Sequence, residues 1–356
     1  METLAVFNAK GGVGKTTSTV NLAACFAAMG QRVLVFDLDA QGNATSSLGI
    51  GAAPDIGTYD VITGRAAIKD AWLPTFMDGI SLVGATRNLA TIDVDMALGE
   101  QTSGILSKVV AAVRKDVDIL IMDCAPTFGA MTINALVSAD AVFIPSQPTS
   151  YAHDGLIRTW TILSRIRQEL HPKLRVVGIL PTLCTPDDAA GGIMAAMTAE
   201  FGNLVSADTI PLDGPLFAAA SAAGVPACVL APTAPASMAY LDLAIRLLNP
   251  DAAQPPRLRR LDDPITATPE RRVAVLQRLE TWKEKADKAG ILDANINVPP
   301  VDAEAMAVAA SNEPVPPDDD DTMFASIGRA ALLIGGALLL TAAAYLLGWA
   351  VGAGRF

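Results

Sequence analysis

The sequence predicts an α/β fold, a mostly parallel sheet flanked by helices on both faces, followed by a linker and one C-terminal apolar helix. Three observations carry this expectation. A short apolar run, LAVF at residues 4–7, leads directly into the glycine-rich string KGGVGKTT at residues 10–17. From there to about residue 250, apolar strand-like runs alternate with amphipathic helical stretches, the pattern of a sheet covered on both sides. Finally, residues 330–354 contain no charged side chain.

Taken in order, strands are expected at 3–8, 32–37, 80–84, 118–123, 141–145, 174–180 and 208–211. Several are apolar almost throughout, as strands buried on both faces must be. Helices are expected at 14–29, 127–138, 152–170 and 237–248, which makes residues 1–250 one domain. Residues 251–326 differ in character. Prolines gather at Pro255, Pro256, Pro264 and Pro269, then at Pro299, Pro300 and from Pro314 to Pro317, so this stretch reads as a linker. Within it, 269–288 reads as one helix, with Val273, Leu276, Leu279, Trp282 and Ala286 at helical spacing. Three uses suit such a helix: a cap on the preceding domain, a partner site, or an apolar stripe laid on its own domain. Between Lys288 and Arg329 every charge is acidic, ending in Asp318 to Asp321, which describes an extended, self-repelling tether standing off an anionic surface.

The last segment, 327–354, reads as a transmembrane helix. As a helix, residues 330–354 would span roughly 37 Å, against about 30 Å of hydrocarbon. Tyr345 and Trp349 stand toward one end, Arg329 and Arg355 bracket the stretch, and Gly348 with Gly352 form a GxxxG pairing motif. The apolar run at the N-terminus is too short for a cleavable leader. The expected placement is therefore the inner (cytoplasmic) membrane, single-pass, with the first domain in the cytoplasm.

At 356 residues and 51% hydrophobic content, the chain can bury a full α/β domain and leave a remainder. A net charge of −11 argues against a protein built mainly to neutralise phosphates. Cys25, Cys124, Cys184 and Cys228 lie far apart with no CxxC pair, and His153 and His171 are the only histidines. Zinc knuckles and His-rich metal sites are therefore excluded on sequence grounds, and Cys124 alone does not make an iron–sulfur site.

The chemistry sits in the glycine-rich string. Without Cβ atoms, Gly11, Gly12 and Gly14 let the backbone curl round a phosphate chain with successive N–H groups inward. The helix starting near Gly14 adds its positive end. Lys15 then reaches β and γ phosphates, Thr16 ligates Mg²⁺, and Val13 and Thr17 complete the binding loop for ATP. Lys10 has no role in that scheme. A spare cation at the mouth of a nucleotide site suits the phosphate of a second subunit, which points to a homodimer closed over ATP. Two strands end in acidic runs that face the same crevice, Asp37 and Asp39 after the second, Asp123 after the fourth.

Together, KGGVGKTT, FDLDAQGNATSSLG at 36–49, VDILIMDCAPTFGAMTINAL at 117–136 and ADAVFIPSQPTSYAHDGL at 139–156 resemble the ParA/Soj partition ATPases of the ParA/MinD deviant Walker A P-loop family. The resemblance implies a P-loop NTPase fold, slow ATP hydrolysis with Mg²⁺, an ATP-dependent homodimer and a ParB-like or other activating protein. It also assigns roles: Lys10 reaches across the dimer, Lys15 binds phosphate, and Asp39 orients or activates the attacking water. Thr16, Asp37 and Asp123 serve the metal. Ala40 and Ala125 stand where the family carries proline. Partition ATPases tend to carry DNA-gripping arginines where this chain has IPLDGPL at 210–216, with Asp213 and no arginine. What remains for nonspecific DNA contact is Arg158 and Arg165, seven apart on one helix face, with Arg167, Lys173 and Arg175 nearby, and a solvated helix face accounts for them better. Two alternatives stay open: a MinD-like membrane positioning protein, and an ATP-binding membrane scaffold without significant turnover or DNA binding.

Overall fold

Apolar strands that must hide both faces need helices on both sides, and the chain supplies them in alternation. The computed structural model describes residues 1–98, 104–190, 192–248, 258 and 269–292. Seven strands are present among them: β1 (Glu2–Val6), β2 (Val33–Leu38), β3 (Trp72–Pro74), β4 (Ile80–Val83), β5 (Ile119–Cys124), β6 (Ala141–Ser146) and β7 (Arg175–Pro181). They form one sheet in the order β3-β4-β2-β5-β1-β6-β7, parallel throughout except for the β3–β4 pair.

The strands divide the core by the two-residue alternation of the pleat. Leu4, Val6, Val33, Val35, Ile119 and Ile121 face one layer, while Ala5, Phe7, Leu34, Phe36, Leu120 and Met122 face the other. Helices Ile105–Val113, Ala130–Ser138 and Ser150–Glu169 cover the second layer. On the first, the helix Lys15–Ala28 is buried almost all round, because Pro235–Leu248 and Pro269–Lys288 lie over it. That arrangement explains the apolar stripe of the helix at 269–288. Leu276, Leu279, Trp282 and Ala286 are fully buried on their own domain, and Arg272–Asp242 and Lys285–Asp78 ion pairs flank them. Val273, expected on the stripe, is half-buried, and Val275 is buried in its place.

Two expectations need correction. Residues 208–211 form no strand, only an isolated bridge between Cys184 and Pro211; proline has no N–H with which to continue a ladder. In turn, the antiparallel edge strand β3 has no counterpart in the sequence reading, because three residues ending in Pro74 offer too little alternation to register. No helix of the described residues is long and apolar enough to cross a membrane. The span expected at 327–354, and the linker apart from residues 258 and 269–292, lie outside the described residues.

Trp282 is the largest fully buried side chain among the described residues, and it stands under the Arg278 guanidinium at 5.5 Å. Trp282→Ala is expected to lower unfolding free energy by about 3–5 kcal/mol in urea denaturation. A loss below about 1 kcal/mol would mean that this helix is not part of the cooperative core.

Candidate functional site

The site forms where β1, β2 and β5 end, on the side of a parallel sheet that opens as a crevice. The loop after β1 is held before any ligand is considered. Asn8 is fully buried; its amide donates to the Pro145 carbonyl (2.8 Å), and its Oδ1 accepts from Lys10 N and from the Thr159 hydroxyl (both 3.0 Å). Ala9 N also donates to Thr159 Oγ1 at 3.1 Å. The loop is thereby tied to β6 and to the helix Ser150–Glu169. Gly12 and Gly14 take φ of 73° and 81°, the left-handed region where a side chain is strained, so the turn requires glycine at both.

The helix Lys15–Ala28 begins at that turn. Lys15 Nζ donates to the Lys10 carbonyl at 2.8 Å, closing the loop on itself. Burial pulls the Lys15 ammonium below its usual pKa, against the opposing pull of Asp123 and Asp39. In the next position Thr16 Oγ1 donates to Asp123 Oδ2 at 2.7 Å, and one turn on Thr19 Oγ1 donates to Asp123 Oδ1 at 3.1 Å. Asp123 is fully buried and stands beside Asp37 in the β2–β5 register.

A cavity of about 380 Å³ opens over this loop. Gly11, Gly12, Gly14, Lys15, Thr16 and Thr17 line it, as does half-buried Asp39. Asp37 does not reach it. Both its oxygens face inward, accepting from Thr45 N (2.8 Å), Thr45 Oγ1 (2.6 Å) and Asp39 N (3.2 Å), so it braces the loop that carries Asp39. Val13 is buried as well, and its carbonyl accepts from the Thr182 hydroxyl at 2.9 Å. Lys10 does not line the cavity either: its stem lies along Gly155, within 3.4–3.9 Å of where a Cβ would stand there. Asp123 acts from beneath, through Thr16.

Sequence reasoning missed Asn8, Thr159 and Thr182, which fix the loop, and Leu183, Ile210, Phe217 and Tyr240, which give the cavity its apolar lining. A lone polar residue ending the apolar run of β1 was the one available signal, and it pointed to Asn8. Asp213 proves to be a helix cap, its Oδ1 accepting from Leu216 N at 3.1 Å. Among the basic residues singled out, Arg165 pairs with Glu169 and Arg175 with Glu2, while Arg158, Arg167 and Lys173 are exposed.

Burial, then the adjacent Asp37 charge, pushes Asp123 up to about 7; burial pushes Asp37 up to about 6 against its Thr45 hydrogen bonds. The folded protein then keeps protons that the unfolded chain, with carboxyls near 4, releases. This contribution to stability is complete below about pH 4 and is lost as pH rises toward 7. Asp123→Asn, which cannot ionise, should gain on the wild type across that window by at most about 1.4 kcal/mol per pH unit. Urea denaturation without nucleotide checks this, and parallel pH profiles for the two proteins would show Asp123 ionised throughout.

Comparison with known proteins agrees with this geometry. Residues 1–176 match the family model described as an AAA domain. The chromosome partitioning protein ParA of Caulobacter vibrioides is 33% identical over 253 residues, covering 70% of this chain and 94% of that protein. The sporulation initiation inhibitor protein Soj of Bacillus subtilis is 35% identical over 243 residues, covering 68% and 96%. Among solved structures, cobyrinic acid a,c-diamide synthase from Mycobacterium smegmatis with bound ADP and magnesium is similar at a TM-score of 0.59 and 30% identity, over 69% of this chain and 94% of that one. With the loop, the sheet order and these relatives in agreement, the chain belongs to the ParA/MinD family of P-loop ATPases and is homologous to ParA and Soj.

Proposed function

We propose that this protein is an ATP-dependent switch: ATP closes a homodimer, the dimer positions or segregates DNA or a large protein assembly, and hydrolysis releases it. The observation that carries this reading is the division of labour between the two lysines. Lys15 is folded into its own loop, whereas the Lys10 stem runs along Gly155 outside the cavity lining, free to serve a second subunit's phosphates. Partition as an output follows from homology to ParA and Soj. Stimulation by a ParB-like or other activating protein, and tethering at the cytoplasmic membrane through 327–354, complete the proposal.

The residues present suit ATP with Mg²⁺. Left-handed Gly12 and Gly14 open the loop for phosphate oxygens, and the apolar lining suits a base. Among the described residues no cluster of three His, Cys, Asp or Glu side chains could hold a metal by itself. A magnesium ion here would depend on phosphate oxygens and the Thr16 hydroxyl, with Asp123 orienting that hydroxyl. When bound, the metal neutralises charge on the phosphates. Asp39 lines the cavity just past the end of β2, which supports a role in orienting the attacking water.

A second reading, in which the cargo is a protein assembly and DNA is not held, is favoured by Asp213. In place of a DNA-gripping arginine, this residue caps the helix Gly214–Ala223. Turnover measured with and without DNA separates the two.

Asp39→Ala should lower ATP turnover by about 10²–10⁴-fold while keeping the ATP-dependent dimer in sedimentation. Lys10→Ala should lose that dimer, and a Lys10→Ala protein that dimerises like the wild type would remove Lys10 from the switch. Deleting 327–354 should move the protein from the membrane pellet to the supernatant of fractionated cells. Retention in the pellet would refute the tether.

A further inference from the structure

The helix Pro269–Lys288 ends against elements that shape the nucleotide cavity. Its last turn places Ala286 fully inside a small apolar cluster with Leu216 and Ala220 of the helix Gly214–Ala223, and with Val225, Ala227 and Leu230 beyond it. The chain then reverses at Gly290 (φ 67°), with Ile291 N donating to the Ala286 carbonyl at 2.9 Å, so that Ile291 and Leu292 pack on the same cluster. Phe217, one residue after Leu216, packs on this cluster too. It lines both the nucleotide cavity and an adjoining cavity of about 270 Å³. Thr16 and Thr17 share the adjoining cavity with Ala220, Val225 and Ala227, but the member of the cluster that lines the nucleotide cavity is Phe217, so its influence there falls on the apolar lining.

We propose that the turn formed by Ala286, Ile291 and Leu292 is a positioning element for the nucleotide: by fixing the helix Gly214–Ala223 it sets Phe217 against the base. This rests on the reading of the cavity as an ATP site. The physical argument is one of order. A half-buried phenyl ring on a short helix has several placements unless its backbone is fixed. Packing the turn on the helix Ala227–Leu230, which itself packs on Gly214–Ala223 within the same cluster, selects one of them before ligand arrives, which lowers the entropy lost on binding. The coupling is reciprocal, so a nucleotide that orders Phe217 must also strengthen the seating of the turn. The start of the C-terminal segment is thereby linked to the occupancy of the site, through packing alone.

The test uses the full-length protein and two ligands, ATP and inorganic tripolyphosphate, each with Mg²⁺. Ile291→Asp combined with Leu292→Asp removes the turn from its cluster and leaves Trp282 seated. The expected result is a fivefold or greater loss of ATP affinity with tripolyphosphate affinity unchanged, and restoration by Ile291→Val with Leu292→Met. Phe217→Ala should reproduce the selective loss, and adding it to the aspartate pair should lose nothing more. A measurement without any variant stands beside these: hydrogen exchange of residues 286–292 in the wild type should slow when ATP binds and not when tripolyphosphate binds. Unchanged ATP affinity overturns the proposal, as does parallel loss of both ligands or exchange indifferent to bound ATP. A wild-type protein that binds tripolyphosphate but not ATP refutes the ATP site itself, and this inference with it.

Discussion

Everything at the functional end of the sheet hangs on one fully buried carboxylate, Asp123. It is the last residue but one of β5, the strand between β1 and β2, and its two oxygens take the hydroxyls of Thr16 and Thr19 at the start of the helix Lys15–Ala28. That pair of bonds fixes the rotation of the helix relative to the sheet, and with it the direction in which the glycine-rich loop opens. A charge buried this deeply is costly unless hydrogen bonds replace its water. Two threonine hydroxyls do so in part, and the rise in its pKa records what they leave uncompensated. The adjacent Asp37 is in the same position with Thr45 and the backbone of Asp39. Two neighbouring strand ends thus hold acid groups in a strained electrostatic state that a divalent cation or an ammonium would relieve, and the Lys15 ammonium already does so in part.

The second constraint is the layering over the helix Lys15–Ala28. Because this helix is buried almost all round, the loop at its start cannot shift without disturbing the helices laid across it. The helix Pro269–Lys288 is one of these, so a stretch that composition sets apart as linker contributes core residues to the domain before it. By packing, the helix at 269–288 belongs to the domain that proline content would close at residue 250.

What could be read from the sequence follows from how local each signal is. The glycine-rich loop, the strands that feed it and the acidic strand ends are contiguous strings, and steric demands on so few residues leave a specific pattern. Lys15, Thr16 and Asp39 lie at the cavity for that reason. Asp37 looked equivalent to Asp39, two residues away, but Asp37 lies within β2, where Thr45 takes its carboxylate, whereas Asp39 lies past the end of the strand, where the chain turns along the cavity. The clamp of Asn8 on Thr159 joins residues 151 positions apart, and Phe217 and Thr182 reach the site from a helix and a loop far along the chain. No periodicity records such partners. The edge strand β3 and the many one- to three-turn helices fell below the length at which hydrophobic alternation becomes measurable.

Gly155 shows how a missing side chain can have kinetic weight. The Lys10 stem lies along the bare backbone there, in ordinary van der Waals contact with the space a Cβ would fill. A lysine free in water samples many rotamers, and ordering it costs about 1.5–2 kcal/mol. Here the stem lies along a helix of its own subunit, which narrows the rotamers open to it. In the proposed dimer, the encounter of two subunits would then meet a cation already set in direction, and the barrier to productive collision would be lower than sequence composition alone would suggest.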